Sequence, residues 1–413
     1  MSVRTKSVKS GYGWVVLAVC FLAGCTCAAN MAKVTSLAPL LMSIYGFDAN
    51  VLGWMIALFY VMGFVLAFPT AAIIGKIGIR NAILIAVGCS AVGSLLGALS
   101  SGNLALFMVS RIIEGAGMGV MGVAGASAIA PWFGPERRGL ALGIWSMWVA
   151  LCMCICPVLY GWVTESRGLP YTAVWWGNVV FDVIVGIAFF VLYAEPAETA
   201  SAGQAAKAAG ADGPRAEGGG NIRRAFQNKT LWMLALIFLL DEAAFMGVNG
   251  FLTTYLQSEL GTTLVFATMI SSMFGVAGAI FAPVSGAVAD WLKNRKWLLL
   301  GALFVGVLYT CVVFVCRIPA LYYLIAIPAG VVGGVVPSCI TQAIPQTVDR
   351  PDDVPAANAM IGFTQNIGMF IGSIFMGNAI MAFGWTRGAW LVLMPCFIIC
   401  VVIFLAGLRK AKF

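Results

Sequence analysis

The sequence predicts an all-α membrane protein with twelve transmembrane helices in two pseudo-symmetric six-helix bundles and both termini cytoplasmic. Three observations carry that reading. Of the 413 residues, 61% are apolar and only 10% charged, where a soluble domain has roughly 25% charged. Twelve apolar runs each approach or exceed the roughly 20 residues that cross a bilayer's hydrocarbon core. One Ala/Gly-rich segment, 194–230, carries Lys207, Arg215, Arg223, Arg224 and Lys229. It cannot bury an apolar face, so it reads as a flexible cytoplasmic linker between an N-terminal bundle, 1–193, and a C-terminal bundle, 231–413.

In order, the runs of the first half cover 14–42, 49–74, 81–100, 104–131, 137–163 and 171–193. Those of the second cover 231–256, 263–289, 297–316, 320–345, 355–383 and 386–408. The first exceeds what a bilayer needs, so it tilts or extends beyond it. Basic residues set the orientation. With the N-terminus inside, only Arg167, Arg317 and Arg387 of the 24 Lys and Arg fall outside, and Lys33 and Arg111 lie within spans. All others fall on the cytoplasmic side, as the positive-inside rule requires. Losing one helix from the first half would reverse every later loop. The same count argues against reading Arg4, Lys6, Lys9 and the run to Cys27-Ala28-Ala29 as a cleaved signal peptide, which would leave an odd number of spans. A multi-pass protein of the plasma (inner) membrane is expected.

The net charge of +8 sits between apolar stretches as loop anchors, so no nucleic-acid partner is expected. There is no histidine, which excludes Ser/His and Cys/His catalysis, imidazole-ligated haem or zinc, and an imidazole pH switch. All twelve cysteines fall inside apolar runs. The densest group, Cys152, Cys154 and Cys156, alternates in direction on a helix, and packing is the better reading. No metal, disulfide, cofactor or enzymatic activity is expected.

An ionisable side chain at mid-helix costs roughly 2.5–3.5 kcal/mol on insertion scales. Six such residues lie within spans: Lys33, Arg111, Glu114, Asp182, Asp241 and Glu242. Thr26, Asn30 and Lys33 fall at i, i+4 and i+7, one polar stripe on the first span, and Glu242, Asn249 and Thr253 form another on the seventh. Arg111 and Glu114, at i and i+3, are close enough for an ion pair. Asn178, Asp182 and Gly186 share a face of the sixth span, suited to a structural hydrogen bond with a neighbouring helix. Gly115, Gly119, Gly122 and Gly125 suit close helix packing.

Two six-helix halves joined by a basic central loop resemble the major facilitator superfamily. Local strings are similar in part. The family's loop after the second helix of each half, G-x-x-x-D-R-x-G-x-[RK], resembles Gly286-Ala287-Val288-Ala289-Asp290-Trp291 with Arg295 and Lys296 following; the first-half copy, Gly75-Lys76-Ile77-Gly78-Ile79-Arg80, has glycine at the acid's position. Arg111-Ile112-Ile113-Glu114-Gly115-Ala116-Gly117 is similar to R-x-x-[QE]-G-x-G. The fifth-span antiporter motif is missing, Cys156-Pro157-Val158-Leu159-Tyr160-Gly161 being the nearest string. Gly11-Tyr12-Gly13-Trp14-Val15-Val16, with Lys33 following, and the string from Trp132 to Gly143 resemble the monocarboxylate and oxalate/formate porter branch. That branch tends to carry a basic residue on the eighth or eleventh span, and this sequence has none there.

The resemblance implies a secondary transporter whose first, fourth, seventh and tenth spans line a central route. It places five of the six intramembrane charges on that route, all except Asp182. The expected cargo is a small organic anion, with alternating access coupled to protons or exchange, in a monomer embedded in the bilayer. Lys33, Asn30, Thr26, Arg111, Asn249, Gln365 and Asn366 are the expected substrate contacts. Gln365 and Asn366 serve equally as interhelical hydrogen bonds, Arg111 with Glu114 as a structural pair, and Lys33 as a headgroup-directed side chain. Glu242 is the expected proton site, with Asp241 and Glu114 as further acids. For gating, Lys76 and Arg80 are expected to face Asp352 and Asp353, and Asp290 to sit near Arg137 and Arg138. The alternative is a proton-driven exporter of cationic or amphipathic compounds, since the interior acids outnumber the bases.

Overall fold

The computed structural model describes residues 5–6, 11–197, 218–292, 295–350 and 353–410, so much of the expected linker lies outside it. Among the described residues the regular secondary structure is helical apart from a two-residue parallel pairing of Thr5–Lys6 with Glu195–Pro196. The first half runs α1 (Gly13–Ser36), α2 (Ala38–Tyr45), α3 (Ala49–Val65), α4 (Pro69–Ile77), α5 (Ile79–Leu99), α6 (Leu104–Ile129), α7 (Pro135–Gly161) and α8 (Thr172–Leu192). After α9 (Gly218–Gln227) come α10 (Lys229–Asn249), α11 (Leu252–Ser258), α12 (Leu264–Leu292), α13 (Arg295–Thr310), α14 (Tyr322–Thr347) and α15 (Val354–Ala406). Among the described residues, nine helices are long and apolar enough to cross a membrane, or ten if the bent pair of α2 and α3 is one span.

The breaks follow the chain's chemistry. Pro39 and Pro69 stand in the first turns of α2 and α4, where a missing N–H is harmless. The apolar runs 14–42 and 49–74 are therefore interrupted helices instead of continuous ones. In α15 the chain turns at Gly384, φ +75° and ψ 176°, a conformation open to glycine; 355–383 and 386–408 become two arms with no loop between them. Residues 218–227, expected to be flexible, are helical. Asn103 and Asn228 cap α6 and α10 by accepting from the amides of Leu106 and Leu231.

Within the halves α5 packs on α6 and α12 on α14; between them α3 packs on α15 and α7 on α12. Small residues permit this closeness. Gly115 of α6 lies against the Phe59 carbonyl of α3, and Gly53 of α3 against the Ser373 carbonyl of α15, so a Cβ at either would overlap its neighbour. Outward-facing Ile85, Ile184, Ile187, Leu324 and Val402 are all more than half exposed, as a lipid-facing surface requires.

Candidate functional site

A cavity of about 400 Å³ lies between the halves, walled by α1, α3 and α7 on one side and by α10, α11, α12, α14 and α15 on the other. Its walls are largely apolar, with Met31, Met153, Phe245, Phe274 and Met369 prominent. Two carboxyls, Asp241 and Glu242, reach it from α10, and no lysine or arginine among the described residues lines it. Consecutive helical residues point about 100° apart, so the pair presents two differently supported acids. Gln365 Nε2 of α15 donates to Glu242 Oε1 at 2.8 Å. Asp241 is buried, and its Oδ1 has no hydrogen-bond partner. Asn249 also lines the cavity while donating to the Phe245 carbonyl at 3.2 Å, and Thr253 meets Ser271 at 3.0 Å near one end.

The charged group of the first half lies elsewhere. Lys33 Nζ donates to Glu114 Oε1 at 2.7 Å and to Ser94 Oγ at 3.0 Å. Arg111 pairs with Glu114 Oε2 and donates to the Asn30 carbonyl at 3.0 Å. Ser94 Oγ donates to Asn30 Oδ1 at 2.5 Å, and Asn30 Nδ2 to Asp182 Oδ2 at 3.1 Å. The Lys33 ammonium stands 4.9 Å from the Trp175 ring centroid, and the Arg111 guanidinium 4.6 Å from that of Phe59. Thr26 turns back to the Ala23 carbonyl of its own helix at 2.8 Å. All are buried, and none borders the cavity. Two cations and two carboxyls thus form one network among helices of the first half.

The structure therefore brings Glu242, Asp241, Asn249 and Gln365 to one space, and leaves Lys33, Asn30, Thr26, Arg111 and Glu114 in another. Asn366 belongs to neither: it bonds the Gly362 carbonyl at 2.8 Å and fills the space over Gly63 of α3. The hydrogen bonds expected of the sixth span are present, with Asn178 accepting from Tyr160 at 3.1 Å and Asp182 from Asn30. Ser94 and Trp175 complete the network without any sequence signal, because a serine or tryptophan in an apolar run is unremarkable by itself.

At the expected gate, Asp353 has a partner from another element. Asp353 is met by Arg224 of α9, at 2.7 Å to the terminal nitrogen and 3.1 Å to Nε, and these hydrogen bonds hold its carboxyl below the usual carboxylate range. Arg80 turns to α8 instead, donating to the Phe190 carbonyl at 2.9 Å and stacking on its ring, while Lys76 is exposed. The helical α9 thus supplies the cation paired with Asp353. Arg137 and Arg138 are exposed, with Arg138 Nε donating to the Phe133 carbonyl at 3.3 Å. Asp352 and the side chain of Asp290 lie outside what is described.

Residues 19–351 match the family model of the Major Facilitator Superfamily. The chain is 22% identical over 392 residues to the hexuronate transporter of Bacillus subtilis, covering 91% of this chain and 90% of that one. It is 25% identical over 300 residues to a probable L-galactonate transporter of Escherichia coli, covering 65% and 61%. Its matches to two uncharacterized MFS-type transporters of Bacillus subtilis span only 30% and 29% of their lengths. A solved structure of a bacterial homolog of the human lysosomal transporter Spinster, inward-facing and occupied, superposes with a TM-score of 0.72 at 14% identity over 97% of both chains.

Proposed function

Because the chain belongs to the major facilitator superfamily, and is thus a multi-pass membrane transporter and not an enzyme, we propose that it is a proton-coupled secondary transporter whose proton site is Glu242, assisted by Asp241. The observation that carries this reading is the pair of carboxyls on the cavity wall with no cation among the described lining residues. A carboxyl in a space alternately open to either side of a membrane can load and release a proton once per cycle. Gln365, bonded to Glu242, and Asn249 are the polar groups placed to meet cargo.

The cargo of this reading is a small organic anion, the class named for the hexuronate and L-galactonate relatives. An anion facing two ionised carboxyls is repelled, and the low dielectric enlarges that repulsion. Anion entry therefore requires bound protons, which makes symport obligatory. Lys33, Arg111 and Glu114 then hold the first bundle rigid instead of touching cargo. A second reading, proton-driven export of cationic or amphipathic compounds, is favoured by the same carboxyls together with the methionine and phenylalanine walls. In either case twelve spans, with both termini cytoplasmic, are supported by the division of α15 at Gly384 and by the loop charges.

The two readings predict opposite signs. In proteoliposomes, carboxylate uptake should accelerate with a proton gradient in the same direction, whereas lipophilic-cation uptake should accelerate with an opposed gradient. A cargo that moves at the same rate with and without the gradient would reject proton coupling at this site.

A further inference from the structure

At one end of the cavity the two halves are joined by a carboxylate. Glu165 lies in the single π-turn, Trp162–Ser166, that follows α7. Its Oε1 accepts from the Leu264 amide at 2.9 Å and its Oε2 from the Val265 amide at 2.6 Å. Those are first-turn N–H groups of α12, in the other half, which have no partner within their own helix. The remaining first-turn donors are satisfied locally: Phe266 N–H by Thr263 Oγ1 at 3.2 Å and Ala267 N–H by the Thr263 carbonyl at 3.0 Å. Glu165 therefore completes a cap that the loop before α12 leaves unfinished. A carboxylate bonded through both oxygens to a helix N-terminus is also favoured by the helix dipole and by charge-assisted bonding. One turn deeper, Gly161 of α7 sits directly against the Thr268 side chain of α12, so the two helices are in contact beside the cap. Toward the opposite end, the cavity-lining Ser146 of α7 is exposed, while Thr35 at the Glu165 end is half-buried.

We propose that Glu165 is a latch that biases the protein toward the state in which this end of the cavity is shut. Separating α7 from α12 here would strip two amides of their acceptor and the carboxylate of both donors. Among the described residues, the contact of Asn50 with Asn378 between α3 and α15 is neutral and can re-form with water at little loss. The latch does not depend on which acid carries the coupling proton, so it can fail while the proton assignment stands, and the reverse.

The test uses full-length protein in oriented vesicles, with reporters Thr35→Cys or Ser146→Cys and a membrane-impermeant maleimide added from one face. Each rate is read as the increment over the same protein without the reporter. With Glu165→Ala, labelling of the Thr35→Cys reporter from the Glu165 face should rise about tenfold, the population shift that loss of one strong charged bond produces. Labelling of the Ser146→Cys reporter from the opposite face should fall. Glu165→Gln keeps the side chain's size, guards against misfolding of the alanine variant, and should move both rates in the same directions. Unchanged rates in both variants would overturn the latch, and so would a rise at both reporters, which is the signature of general loosening.

Discussion

Lys33 and Glu242 both carry ionisable groups into the membrane, but their neighbours differ in kind. Lys33 has a carboxylate, a hydroxyl and an indole face around it, whereas Glu242 has one amide and a cavity. Removing one partner of a buried pair leaves the other uncompensated, at about 3–5 kcal/mol. Lys33→Ala should therefore lower thermal stability by about that much, read by unfolding of the purified protein. Its cargo affinity, measured by titration, should stay within about twofold, below the 1.4 kcal/mol that a tenfold change represents; a tenfold weakening with unchanged stability would restore Lys33 to the cargo site. All six intramembrane charges are legible in the sequence because each violates an apolar run. Which of them face the route is not. Helical spacing fixes an angle about one helix axis, and the stripe Thr26, Asn30 and Lys33 has that angle whether it faces a cavity or the α5–α6–α8 interior.

At the scale of elements, the order of the apolar runs reappears in the order of the helices, and the division of α15 at Gly384 falls between two expected runs, whereas the breaks at Pro39 and Pro69 lie inside runs read as continuous. The helix α9 is not legible: three glycines open it, and its order comes from tertiary contacts, Arg224 with Asp353 and Phe226 packed at a tilt against Phe68 with ring centroids 5.8 Å apart. The Arg224–Asp353 contact has a defined pH sense. A carboxyl held below its ordinary value contributes stability that is complete above the unfolded value, about 3.9, and is lost as pH falls through the folded one. Protection of α9 from proteolysis should therefore be constant from neutral pH down to about 4 and weaken below it. Asp353→Asn should show the weaker protection throughout; equal protection in the two proteins at neutral pH would discount the contact. Close packing makes a second prediction. Gly115→Ala drives a methyl into the Phe59 carbonyl and should destabilise by about 1–3 kcal/mol, whereas Gly122→Ala, with open space around it, should have little effect on the melting temperature.

For the whole molecule, the essential feature is a space between the two halves of the chain that two acids reach and that no lysine or arginine among the described residues lines. Composition makes the membrane-crossing helices readable, because a bilayer imposes run length on the sequence directly. The cavity is not readable in the same way, since it is defined by what two distant segments fail to fill. The most direct test compares wild type with Glu242→Gln in proteoliposomes, using one transported cargo and two assays. Gradient-driven accumulation should fall at least about tenfold in the variant, the scale of losing one proton-transfer group, while exchange of labelled for unlabelled cargo at equal pH persists. Accumulation by Glu242→Gln at the wild-type level under the same gradient would contradict the account.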